Sequence, residues 1–161
     1  MLNLVSLLFL CGSAHLAAGA CATGWVQFET SCYKIEARAI KQWTDAKKAC
    51  EAEKAQLTII MTKEENDFVQ RELRKLQIAD MGMQFWMDGT DITTEGQWIW
   101  ESTGEYFEIY DWSPGEPNQS GGEEDCMSFF RLYDYHWNDE HCNRPEGYVC
   151  EKEMASGPAV G

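Results

Sequence analysis

The residues best placed to do chemistry stand in three short runs: Glu116-Pro117-Asn118, Glu124-Asp125 and Trp137-Asn138-Asp139. Apart from Pro117 and Trp137, their side chains offer only carboxylate and amide groups. These are hard oxygen ligands, and calcium takes roughly six to eight of them at about 2.3–2.6 Å. Cys126 directly follows the second run and Cys142 lies just beyond the third. If these two cysteines pair, Glu116, Asn118, Glu124, Asn138 and Asp139 can all point at one place. With a backbone oxygen, they would fill a calcium shell. Magnesium is less apt because it keeps its own waters. The regular acidic spacing of an EF-hand loop is absent. Pro117 has a mechanical part in this picture. Glu116 and Asn118 must face the same way although they flank one residue. A cis bond between Glu116 and Pro117 allows that, and proline is the residue that makes cis accessible.

The charge distribution agrees with a hard cation. The chain has 161 residues and a net charge of -14. No Lys or Arg occurs between Lys75 and Arg131, while Asp80, Asp88, Asp91, Glu95 and many later acids do. Such a field repels nucleic acid and anionic membranes. For Glu101 to Asp111 a solvated acidic surface is the expected role.

These runs need a frame, and the length suits one domain. Leu2 to Leu10 is apolar apart from Asn3 and Ser6, no Asp, Glu, Lys or Arg precedes Glu29, and small residues end the stretch at Ala18-Gly19-Ala20. Residues 1–20 read as a secretory signal peptide cut before Cys21, which makes the protein secreted and extracellular. The alternative is an anchor helix, but Gly12 and His15 leave the apolar run too short to span a bilayer, so no membrane insertion is expected. Cleavage removes Cys11 and leaves an even set: Cys21, Cys32, Cys50, Cys126, Cys142 and Cys150. In a secreted chain these read as disulfides whose pairing the count leaves open. Zinc is disfavoured although His136 and His141 lie nearby, since no Cys-x-x-Cys knuckle exists.

Cys21 to Glu153 reads as the domain, and 154–161 as a flexible tail. Ser31 to Ile35 is strand-like. Ile40 to Gln56 favours helix, with Trp43, Ala46, Ala49, Cys50 and Ala52 on one stripe. A second helix starts at Thr62, where Thr62-x-x-Glu65 is a capping box, and Phe68, Val69, Leu73 and Leu76 form its buried face. Phe85-Trp86-Met87 is a short apolar run, and Trp98 and Trp100 alternate around Ile99. Gly104 to Asp125 is long, polar and turn-rich, as functional loops are. Cys126 to Phe130 and Tyr148 to Cys150 read as closing strands. Helices first and strands around a long loop make an α+β fold.

Taken in order, these marks resemble the C-type lectin domain family, over nearly all of Cys21 to Glu151. Phe85-Trp86-Met87-Asp88-Gly89 resembles its Trp-Ile-Gly-Leu motif, with Asp88 an odd fit. Gly96-x-Trp98-x-Trp100, Glu116-Pro117-Asn118, Trp137-Asn138-Asp139 and Cys150-Glu151 are further marks. The resemblance implies two helices with small antiparallel sheets and a long calcium-binding loop. It implies the disulfides Cys21–Cys32, Cys50–Cys150 and Cys126–Cys142. It also implies a second calcium in some members, here on Asp91, Glu95, Glu124 and Asp125, although Gln119 stands where that site usually has Asp.

The same resemblance implies a calcium-dependent lectin. Two neighbouring sugar hydroxyls would complete the calcium shell, accept from the Asn118 or Asn138 amide and donate to Glu116 or Glu124, so that every polar group is used. In the family, Glu-Pro-Asn goes with mannose, N-acetylglucosamine, glucose and fucose, and Gln-Pro-Asp with galactose. Microbial or cell-surface glycans in innate defence are the expected targets. A shallow sugar site gains from avidity, and a homo-oligomer would use the domain surface. The competing reading is a lectin-like domain that binds a protein, mineral or ice surface. An enzyme is not expected: Glu116 and Glu124 resemble a glycosidase pair, but metal ligands must stay ionised. Finally, Asn118-Gln119-Ser120 is a glycosylation sequon laid over the site, and Asn118 is expected to be unmodified in the active protein.

Overall fold

The computed structural model describes residues 20–154. The expected leader, apart from Ala20, and the expected tail beyond Met154 lie outside the described residues. The strands are β1 (Val26–Phe28), β2 (Ser31–Lys41), β3 (Gln56–Leu57), β4 (Gln84–Thr90), β5 (Ile99–Trp100), β6 (Cys126–Phe130), β7 (His136–Glu140) and β8 (Glu146–Glu153). Two helices, α1 (Trp43–Ala52) and α2 (Lys63–Lys75), separate the early strands. The sheet runs β1-β2-β8-β4-β6-β7, with β3 on β8 and β5 on β4. Its pairs are antiparallel except β4 with β8, which is parallel. That pair joins what the sequence suggests as separate small sheets into one.

Strand β4 explains why a parallel pair fits here. All of its residues are buried, as expected for a strand covered on both faces. Its alternate side chains feed two cores. Phe85 and Met87 pack with Phe68, Val69 and Leu73 of α2 and with Trp98, Trp100 and Trp137. Trp86 packs with Trp43 and Ala46 of α1, Tyr148 and the Cys50 and Cys150 pair. Gly89 marks the tightest approach: a Cβ there would lie 2.5 Å from Met127 Sδ and 2.9 Å from the Phe107 ring. Asp88 has a place in this strand. It is buried, its Oδ2 accepts the Ser102 N–H at 2.7 Å while Oδ1 has no partner among the described residues, and burial raises it to about 6.

The disulfides Cys21–Cys32, Cys50–Cys150 and Cys126–Cys142 are all closed. Cys50–Cys150 spans a separation of 100 residues, worth up to about 4–5 kcal/mol in the chain-entropy account.

Some expectations need correction. The first helix begins at Trp43, because β2 continues through Lys41 to pair with Glu146. Leu76 is not on the buried face of α2; it caps the helix and is 40% exposed. Asp111 is not merely solvated surface. Its carboxylate accepts from Asn66 and Gln70 of α2 at 2.6 Å each and meets His136 at 2.9 Å, tying the long loop to the helix.

The start of α2 holds a carboxylate pair, Glu65 buried and Glu151 half-buried. Thr62 caps the helix by accepting from the Glu65 N–H at 3.2 Å. Glu65 Oε2 accepts the Met61 N–H at 2.8 Å, and Oε1 accepts from the Tyr33 hydroxyl at 2.5 Å. Glu151 approaches the same hydroxyl at 3.3 Å and accepts from Ser31, Thr58 and the Ile59 N–H. Burial, then the neighbouring Glu65, raises Glu151 to about 7.

Candidate functional site

The β6–β7 hairpin supplies the rigid wall of the site. Ser128 faces Asn138 and Met127 faces Asp139 in its register. The chain turns between the strands through a short 3-10 helix and two successive left-handed residues, Asp134 (φ 55°) and Tyr135 (φ 67°). Cys126 opens β6 and Cys142 follows β7, so their disulfide closes the end of the hairpin beside the ligand runs.

The long loop is laid against this wall. The Trp137 N–H donates to the Asp111 carbonyl at 2.9 Å, and the Ser113 N–H donates to the Trp137 carbonyl at 2.8 Å. The Glu116–Pro117 bond is cis. Glu116 and Asn118 lie side by side, the Asn118 amide donating to Glu116 Oε2. Asp139 Oδ2 then accepts two consecutive backbone N–H groups, Asn118 at 2.8 Å and Gln119 at 2.9 Å. Gln119 is left-handed at φ 53°, which turns the chain so that the Ser120 N–H meets the Glu124 carboxylate. The Glu124 N–H donates back to Gln119 Oε1 at 2.8 Å.

Glu116, Asn118, Glu124, Asn138 and Asp139 thereby line one cavity of about 340 Å³. Its floor is buried: Glu124, Asn138 and Asp139 are 7%, 6% and 1% exposed. Asn118 is exposed at the mouth. Asp139 Oδ1 is buried and has no hydrogen-bond partner among the described residues. Burial, followed by the adjacent Asp139 and then Glu124, pushes Glu116 up to about 7. Burial also raises Glu124; the Ser120 N–H opposes this while Asp139 and Glu140 reinforce it. Three carboxylates are thus held together with too few donors between them.

A second layer of residues, to which the sequence reading gave no role, fixes the floor. Gln84 Oε1 accepts from the Asn138 amide at 3.2 Å and from the Ser128 hydroxyl. Gln84 Nε2 donates to Glu140 at 2.7 Å, and Arg144 donates to the same Glu140 oxygen at 2.8 Å. The available signal was the composition of β7, where Asn138, Asp139 and Glu140 stand consecutively. In the structure all three are buried.

Three of the four acids expected to hold a second ion, Asp91, Glu95 and Glu124, have one side-chain oxygen in contact with a loop group. Asp91 Oδ2 accepts the Gly96 N–H at 2.8 Å, Glu95 accepts from Gln119 Nε2 at 2.9 Å, and Glu124 belongs to the cavity above. Asp125 holds Thr90 and the Asp91 N–H through its backbone carbonyl, at 2.7 and 3.3 Å. Asp91 Oδ1 is buried without a partner among the described residues, and burial raises this carboxyl to about 6. His141 lies with Glu124 and Glu140, their ligand atoms within 4.8 Å of one another, while His136 is taken up by Asp111.

The sequence profile of the Lectin C-type domain matches residues 39–152. Asialoglycoprotein receptor 1 of Rattus norvegicus is 36% identical over 140 residues, which cover 83% of this chain and 45% of the receptor. The chain thus spans about half the length of that relative. Perlucin of Haliotis laevigata is 34% identical over 135 residues, covering 83% of each chain. Among solved structures, the cow C-type carbohydrate-recognition domain of CD23, in the presence of GlcNAc2Man3 oligosaccharide, superposes with a TM-score of 0.72 at 29% identity, over 85% of this chain and 98% of that one. A profile covering most of the chain, relatives above the thirty-per-cent level and a shared fold agree: the chain belongs to the C-type lectin domain family.

Proposed function

We propose that the protein is a secreted, calcium-dependent lectin for mannose-type sugars. Glu116, Asn118, Glu124, Asn138 and Asp139 hold the ion and the sugar. One observation carries the reading: these five line a single cavity in which a buried Asp139 oxygen lacks a donor and the Glu116 and Glu124 carboxyls are raised. A buried carboxylate oxygen needs a hydrogen bond or a cation. The all-oxygen ligand set suits calcium.

Calcium bound there supplies a Lewis-acid anchor for two neighbouring sugar hydroxyls. The protein does the rest. The Asn118 amide donates to a sugar oxygen, Asn138, whose amide hydrogens go to Gln84 Oε1 and the Asp139 carbonyl, offers its oxygen, and Glu116 and Glu124 accept the hydroxyl protons. Asp139 keeps the loop seated through the Asn118 and Gln119 N–H groups. Gln84 and Glu140 hold Asn138 in orientation. The order of acid and amide across Pro117 selects the mannose-type diol. A structural relative prepared with a mannose-bearing oligosaccharide supports a glycan partner.

Closed disulfides support maturation in an oxidising compartment, in keeping with secretion. Among the described residues, no helix is long and apolar enough to cross a membrane. Weak single-site affinity makes multivalent presentation, on glycans or through a homo-oligomer, the source of useful binding.

The test is retention on mannose-agarose in calcium, with release by a chelator. The paired variant Glu116→Gln with Asn118→Asp is expected to shift preference toward galactose. Mannose retention unchanged by that swap would show that the site has been wrongly assigned.

A further inference from the structure

The loop that forms the cavity mouth carries Asn118-Gln119-Ser120, an acceptor sequence for N-linked glycans. Asn118 and Ser120 are both exposed, whereas the floor residues Asn138 and Asp139 are buried. The closed disulfides indicate passage through an oxidising compartment, where oligosaccharide transfer to asparagine also occurs. We propose that Asn118 is an N-glycosylation site, and that a glycan on it closes the sugar site, giving the protein a masked and an open form. This rests on the sugar-binding reading above and concerns regulation of the same site.

The chemistry balances on one nitrogen. Asn118 Nδ2 attacks the anomeric carbon of an oligosaccharide carried on a lipid diphosphate. The new C–N bond forms, the C–O bond to the diphosphate breaks, the lipid diphosphate leaves and one amide proton is released. The modified amide keeps one N–H. That hydrogen still serves the bond from Asn118 Nδ2 to Glu116 Oε2. The backbone N–H groups of Asn118 and Gln119 that bind Asp139 are untouched by the modification. The folded loop therefore accepts a glycan without losing the contacts that seat it. What it loses is the second amide hydrogen and the open space at the mouth. An incoming sugar needs both. A glycan and a bound sugar are thus exclusive on one atom, while the fold persists in either form.

The experiment uses the full chain secreted from a glycosylating host. The product is passed over mannose-agarose in calcium and eluted with a chelator. Occupancy of Asn118 is read in each pool by mass spectrometry after enzymatic deglycosylation in heavy-oxygen water, which marks formerly occupied asparagine. Occupied molecules are expected in the flow-through and unoccupied ones in the eluate. Ser120→Ala removes the sequon but keeps Asn118, and moves the protein into the bound pool. Ser120→Thr keeps the sequon and keeps the masked fraction. Absence of a glycan on Asn118 in every pool overturns the proposal. So does equal retention of occupied and unoccupied molecules, which would leave the lectin reading standing. If neither Ser120→Ala nor unoccupied wild type is retained, the sugar reading itself fails and the masking fails with it.

Discussion

Two clusters of buried and half-buried carboxylates, differently supplied with donors, sit in this domain. At the start of α2, Glu65 and Glu151 share the Tyr33 hydroxyl, and Glu151 also accepts from Ser31, Thr58 and the Ile59 N–H. At the loop, Asp139 and Glu124 accept from the backbone N–H groups of residues 118–120 and Glu116 accepts from the Asn118 side chain, yet Asp139 Oδ1 is left with no donor among the described residues. Burial lifts Glu151 and Glu116 alike to about 7. A raised carboxyl therefore does not distinguish them. What does is whether each buried oxygen has a protein donor. The α2 cluster closes its accounts within the fold, and the loop cluster leaves a buried oxygen open.

The sharpest way to break this contrast is Asp139→Asn. Its amide oxygen can still accept the Asn118 and Gln119 N–H groups, so the loop stays seated while the partnerless oxygen is replaced. We expect calcium affinity to fall by at least about a hundredfold, the upper end of what even outer-layer changes cost. Isothermal titration with calcium measures it, and unchanged affinity would remove that oxygen from the ligand set. Next comes Gln84→Leu, which strips the orienting contact from Asn138 and Glu140. Affinity should weaken by about tenfold, as for other residues that act through a ligand. If it does not move, the second layer is structural alone.

The α2 cluster is tested by pH rather than by ligand affinity. Glu151 is raised from 4.5 to about 7 in the fold, so its protonated form is the one the fold favours. Its contribution to stability is complete below 4.5 and is lost as pH rises through about 7. With calcium saturating the loop, urea unfolding should show a loss of up to about 3 kcal/mol across that window. Glu151→Gln should flatten it. An equal slope in the variant would place the pH dependence elsewhere.

Much of the site was legible because its chemistry is local. Glu116-Pro117-Asn118 shows its acid, its amide and its proline in the sequence, and the cis bond is there. Asn138-Asp139 and Glu124 mark the other walls, and the cavity contains all five. Gln84 was not legible, because a glutamine in an apolar strand shows its purpose only when β6 and β7 are placed beside it. The parallel pairing of β4 with β8 has the same origin: hydrogen bonds between residues such as Phe85 and Gly147 leave no local pattern. Ile40 and Leu76 failed for a different reason. Each sits where one element gives way to the next, and periodicity continues past a boundary that tertiary pairing or a cap decides. Asp111 looked like one more surface acid, since nothing nearby in sequence announces Asn66, Gln70 and His136 as its partners.

The strand order has a consequence for how the domain can be presented. Strands β1, β2 and β8 lie together at one side of the sheet, and the Met154 N–H donates to the Thr30 carbonyl at 2.8 Å. Both ends of the described region therefore leave from the same side. Asn138 and Asp139 stand on β7, the strand at the other edge. A tether joined at either end would hold the domain like a handle, with the binding cavity carried at the far rim. Fusions, surface coupling or tandem copies attached there should leave that rim free to meet a glycan-coated surface.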